Sequence, residues 1–166
     1  MMLGLTFASF TALHVAISLV GIGAGLVALG AMLAGQWLAG WTALFLVFTA
    51  LTAATGFLFP SFAITPAHVV GLLTLTALAV AAFALYGGHL EGHWRPIYVA
   101  GAVAALYFNS FVGLVQTFQK QPALLELAPT QAELPFALAQ GLLLLGFVLL
   151  GVMASRRFPG MRRPVG

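Results

Sequence analysis

Long apolar stretches alternate with short connections along this chain. A helix needs about 20 apolar residues to cross a bilayer. Five runs approach or exceed that length, at 10–33, 41–59, 66–86, 96–118 and 133–154. Their ends carry helix punctuation. Thr65 is placed to cap the third run, with Pro66 in the first helical position, where a missing N–H costs nothing. Pro96 opens the fourth run in the same way. Thr130 and Glu133 match a T-x-x-E capping box, which places the start of the fifth helix near Gln131. Gly87 and Gly88 close the third run. The fourth connection carries "PALLELA", a segment suited either to a short helix on the interface or to a surface loop. The expected architecture is a single polytopic domain, an all-α bundle of five transmembrane helices with a basic tail at 155–166.

Polar and small residues inside these runs follow helical spacing. On the first run, Thr11, His14, Ser18, Gly21, Gly25 and Ala28 recur at alternating steps of three and four, which is one helix face. Thr42, Phe45, Thr49, Thr52 and Gly56 do so on the second. The fourth run has Ala102, Ala105, Asn109, Gly113, Gln116 and Lys120, and the fifth has Glu133, Ala137, Gln140, Leu144, Phe147 and Gly151. Such stripes are how helices pack and bond to one another in lipid. Gly21 and Gly25 form a GxxxG pair, a face that suits a partner membrane protein or a second copy of the chain.

Depth sharpens the pattern. His14, Thr52, Thr55, His68, Asn109, Ser110, Gln116 and Gln140 all fall in the half of their run nearer the N-terminal end of the bundle. The opposite halves are almost purely apolar, as in "LLGFVLLG". Five helices that concentrate polarity at one depth predict a polar pocket there, lined by His14, Thr52, His68, Asn109, Gln116 and Gln140. An intramembrane histidine is a functional candidate by default. His14 and His68 share a depth on different helices, so a haem b held between them is one expectation. A quinone beside His14, Asn109 and Gln116 is another. The plainer expectation is that His14 bonds to Asn109 or Gln140 and that His68 is an interfacial, hydrogen-bonded side chain. His89 and His93 lie in a Gly-rich connection, which reads as an interfacial loop rather than a metal site.

Composition agrees with this picture. The chain has 166 residues, of which 62% are hydrophobic and 5% charged. Soluble domains carry about 25% charged residues. Cysteine is absent, which removes disulfides, thiolate metal sites and a cysteine nucleophile. Aspartate is absent too, so a paired-aspartate hydrolase is excluded. No charged residue sits in the middle of any run, which disfavours a proton-coupled transporter. The net charge of +3 is concentrated in Arg156, Arg157, Arg162 and Arg163, a pattern that signals topology rather than a nucleic-acid surface. With the N-terminus outside and the C-terminus inside, five basic residues face the cytoplasm and only Lys120 faces out. The positive-inside rule therefore selects N-out/C-in. The first run lacks the positive flank of a cleaved signal peptide and reads as a retained helix.

In general style the chain resembles many small bacterial inner-membrane proteins. The functional expectation is a multi-pass membrane accessory protein or subunit, without catalytic residues, that binds a partner helix or a small polar ligand in the pocket. The alternatives are a redox protein with haem or quinone, and a small channel or permease.

Overall fold

A computed structural model describes residues 4–60 and 65–160 of the chain. Residues 1–3, residues 61–64 of the second connection, and residues 161–166, which include Arg162 and Arg163, lie outside the described residues. Among the described residues six α-helices follow one another: α1 (Phe7–Leu33), α2 (Ala39–Gly56), α3 (Pro66–Ala82, continued by a π-helical turn Phe83–Gly87), α4 (Trp94–Lys120), α5 (Pro122–Leu127) and α6 (Leu134–Arg157). Five are long and apolar enough to cross a membrane. At about 1.5 Å per residue, even α2, with 18 residues, spans roughly 27 Å.

The sequence punctuation acts with small shifts. Thr6 caps α1, accepting from the Ser9 N–H at 3.1 Å, so the helix begins before Phe10. Pro66 is the first residue of α3. Pro96 does not open α4, which already begins at Trp94. The first turn of any helix has unpaired N–H groups, so a proline two residues in still removes nothing. "PALLELA" does form the short helix α5.

The capping-box expectation at Thr130 needs correction. Glu133 reaches back to the Thr130 hydroxyl at 2.8 Å and to the N–H groups of Thr130 and Ala132, both at 3.1 Å. Those bonds close a turn ahead of the helix. Gln131 there takes a left-handed φ of 62°, so α6 starts only at Leu134. At the other end α6 runs on to Arg157, into the segment expected as tail. Its last turn carries Arg156 and Arg157, which suit the negative end of the helix dipole. Phe158 then folds under the bundle, 1% exposed, with its ring 5.8 Å from Trp37 and 6.2 Å from Tyr98.

Packing follows the small-residue stripes. α1 pairs chiefly with α2 and α3 with α4. The two hairpins join through α2 against α3 and through α1 against α4. Gly25 makes this closure: a Cβ there would lie 2.6 Å from Leu106 Cδ1 and 2.7 Å from Phe45 Cδ2. The Gly21/Gly25 face thus packs against α2 and α4 within the molecule. Gly101 does the same for the other hairpin, where a Cβ would meet the Ala77 carbonyl oxygen at 2.9 Å. In the half towards Phe158, these contacts close a dense core around Leu29, Phe45, Leu78, Leu85, Tyr98 and Leu106. α6 docks from outside on α4 and α1 and fully buries only Phe147 and Ala154. The rest of its leucine-rich surface is exposed.

Candidate functional site: a polar cavity among four helices

Towards the N-terminal end of α1, the same four helices splay apart. They enclose a cavity of about 700 Å³ that reaches from the helix ends at Phe7, Pro60 and Lys120 down to Ile22, Thr49 and Asn109. Eleven residues of α4 separate Asn109 from Lys120, about 16 Å along the axis. The core around Phe45 and Leu106 forms the floor. The small gap beside Gly25 beneath it admits no water. The cavity is blind at that end.

Five of the six expected pocket residues line this space: His14, Thr52, His68, Asn109 and Gln116. Gln140 does not. It lies on α6, outside the four-helix ring, and donates to the Tyr107 hydroxyl on the outer side of α4. Among the described residues, Lys120 is the one charged side chain in the wall, and no carboxylate lines it.

The expected partners of the polar groups are rearranged. Asn109 Oδ1 accepts from the Ser18 hydroxyl at 2.9 Å, tying α4 to α1 at the floor. Its amide nitrogen, in a residue only 4% exposed, is buried without a partner. So is the Thr49 hydroxyl, in a residue 0% exposed. Thr11, Thr52, Thr55, Thr74, Thr76 and Thr117 each donate to the carbonyl four residues back. Thr49 makes no such bond, and both unmet atoms lie against Gly21. Buried polar groups are seldom left unpaired, so this floor is polar beyond what helix packing uses.

The histidines are held by opposite means. His14 Nδ1 lies 2.8 Å from Thr55 Oγ1, across the α1–α2 contact. The Thr55 hydroxyl has one proton, and its 2.7 Å bond to the Leu51 carbonyl uses it. His14 Nδ1 therefore carries the proton, and Nε2 keeps its lone pair. Phe59 folds back from the end of α2 and sets its ring edge-on to His14, with centroids 5.1 Å apart. His68 sits at the third helical position of α3 and completes a capping box with Thr65. Its Nδ1 accepts from the Thr65 N–H at 3.1 Å, so in the neutral ring Nε2 carries the proton.

That arrangement bears on haem. An axial histidine gives its iron a ring lone pair. His14 Nε2 has one. His68 Nε2 does not, unless the cap of α3 is undone, so the two rings do not present a matched pair of ligands. Among the described residues, no three of His, Asp and Glu come together as a metal site. His89 and His93 stay in the connection between α3 and α4, far along the chain from the cavity wall.

Thr55 and Thr65 are the residues that inspection of stripes passed over. Each lies within hydrogen-bonding reach of the histidine that it positions. Compared with protein-family models, with curated proteins and with solved structures, the chain matches none.

Proposed function

We propose that this protein is a multi-pass membrane protein that binds a small, polar-headed ligand in the cavity among α1, α2, α3 and α4. On this reading it is an accessory protein or subunit and not an enzyme. The observation that carries it is the convergence of His14, Thr52, His68, Asn109 and Gln116 on one cavity of about 700 Å³. Helix packing alone would have closed that space, as it does in the opposite half. The remaining wall, with Val15, Ile22, Val70 and Phe108, is apolar and suits an apolar body on the ligand.

On the same reading the five long helices sit in a bacterial inner membrane, N-out/C-in. Support comes from charge. Arg95, Arg156 and Arg157 belong to the Phe158 end and Lys120 to the cavity end, so the cavity opens outward under the positive-inside rule. A reporter active only in the cytoplasm, fused at Gly166, will be active; a silent fusion would reverse the orientation.

Ligand binding is tested by a cavity-filling variant. At Gly113 a Cβ would meet only Ile22 Cδ1, at 3.8 Å, so a larger side chain has room to project into the cavity. Mass spectrometry of the protein extracted in mild detergent is expected to show a molecule that accompanies the wild type and is absent from Gly113→Leu. Equal recovery from both would remove the cavity from the account.

A further inference from the structure

His14 and His68 face one cavity in opposite states, and this defines the chemistry of what fits between them. His14 is fixed through Nδ1 to Thr55, and His68 through Nδ1 to Thr65. Neither Nε2 is enclosed by protein or given a partner there, although both residues line the cavity. His14 Nε2 is an acceptor and His68 Nε2–H is a donor. His14 is held so by the Thr55 hydroxyl, itself bonded to the Leu51 carbonyl, and His68 by the Thr65 backbone N–H. Lys120, at the cavity mouth, stands about 16 Å of helical rise above Asn109 at the floor. An ammonium only donates and a carboxylate only accepts, so neither satisfies both rings.

We infer that the cavity binds an uncharged amphiphile whose head carries hydroxyl oxygen, donating its O–H to His14 Nε2 and accepting from His68 Nε2–H. The inference rests on the ligand-binding reading above and narrows it to one class. A ketone, ester or oxidised quinone only accepts, so it satisfies His68 and leaves His14 unmet. An alcohol, glycerol head or reduced quinol satisfies both. Lipid and water are both sources of such a hydroxyl compound; the head chemistry is the same.

Two measurements on the intact protein test this. The first is ¹⁵N NMR of the histidines in nanodiscs near neutral pH, assigned with His14→Gln and His68→Gln. It reads the tautomers directly and needs no ligand. The expected result is Nδ1–H for His14 and Nε2–H for His68; the same tautomer at both would overturn the inference while leaving ligand binding intact. The second is titration with a matched ten-carbon series: decane-1,2-diol, 2-decanone, decane and decanoate. The diol is expected to bind about tenfold more tightly than the ketone, a difference of about 1.4 kcal/mol, and more tightly still than decane or decanoate. Thr55→Val, which removes the anchor of His14, is expected to erase most of the advantage of diol over ketone. Equal affinity for diol and ketone, or preference for decanoate, would overturn the hydroxyl assignment alone. Failure of every member of the series to bind would overturn the binding reading with it. Mass spectrometry of the freshly extracted protein separates the sources, since a lipid alcohol and a water-soluble one both meet the proposal and a charged lipid does not.

Discussion

Gly25→Ala asks the fold to accept one methyl group at its tightest point. The new Cβ would lie 2.6 Å from Leu106 Cδ1, with Phe45 Cδ2 at 2.7 Å and Phe45 Cε2 at 3.0 Å. Contacts this short require movement. The neighbours have little freedom, since Phe45 and Leu106 are each only 2% exposed and belong to the same core. Overpacking of this kind costs about 1–3 kcal/mol. Alanine recovers up to about 1 kcal/mol through its better helix propensity. The net expectation is destabilisation by up to about 2 kcal/mol against wild type, and by about 1–3 kcal/mol against an alanine placed where there is no clash. Gly23 and Gly30 lie on the same helix with nothing within 4 Å of a Cβ. Their alanine variants carry the propensity gain without the clash and serve as controls. Reversible unfolding in mixed micelles, with all three variants measured against wild type, gives the comparison. Trimming Leu106 to alanine in the Gly25→Ala background should make the two changes less than additive, because both act on one contact. If Gly25→Ala is as stable as Gly23→Ala, α1 does not approach α2 and α4 as described, and the closed floor of the cavity fails with it.

Other expectations follow from single contacts. Gln140→Leu removes the bond to Tyr107 and should cost about 0.6 kcal/mol, the scale of such bonds in membranes; because Gln140 lies outside the cavity, ligand retention should be unchanged, and a loss would contradict its placement. Phe158→Ala empties the space beside Trp37 and Tyr98 and should cost about 3 kcal/mol in the same unfolding assay, a result within error of wild type being incompatible with its burial. The Glu133 carboxyl is held below the usual glutamate range, first by the Thr130 hydroxyl and then by the N–H groups of the turn. Its contribution is therefore present above the ordinary glutamate value and is lost as pH falls through the lower, folded value. Amide exchange at Ala132 should stay protected down to that acidic window and open below it; in Thr130→Val the opening should move up in pH, and an unmoved profile would refute the role of the hydroxyl.

How far the sequence carried the fold depended on which helix was read. The stripes on α1, α2 and α4 name both a core and a cavity wall, because those helices are neighbours in one ring and periodicity reports a shared face. Gly21, Gly25, Phe45, Thr49 and Asn109 all lie where the stripes put them. The stripe on α6 is equally regular, yet Gln140 serves only Tyr107. Periodicity gives a face and a depth, not the identity of the neighbour, and α6 packs outside the ring. His68 shows a different limit. Its depth was legible, but a histidine at the third helical position reads as a ligand candidate more readily than as a capping side chain, where glutamate and glutamine are usual. The exchange of partners has one cause as well. His14 was expected to reach Asn109 or Gln140, whereas the close α1–α2 contact offers Thr55 sooner and leaves Asn109 to Ser18. The docking of Phe158 was masked by the arginines on either side of it, which read as a solvated tail.

The central claim is that the space between His14 and His68 holds a molecule and is not a packing gap. The most direct measurement is a high-resolution structure of the protein extracted from its own membrane into nanodiscs, with Gly113→Leu prepared in parallel. The account predicts continuous, non-solvent density in contact with both imidazoles in the wild type and its loss in the variant. A wild-type cavity that holds only separate water molecules, or one closed by α1 settling onto α4, would contradict it.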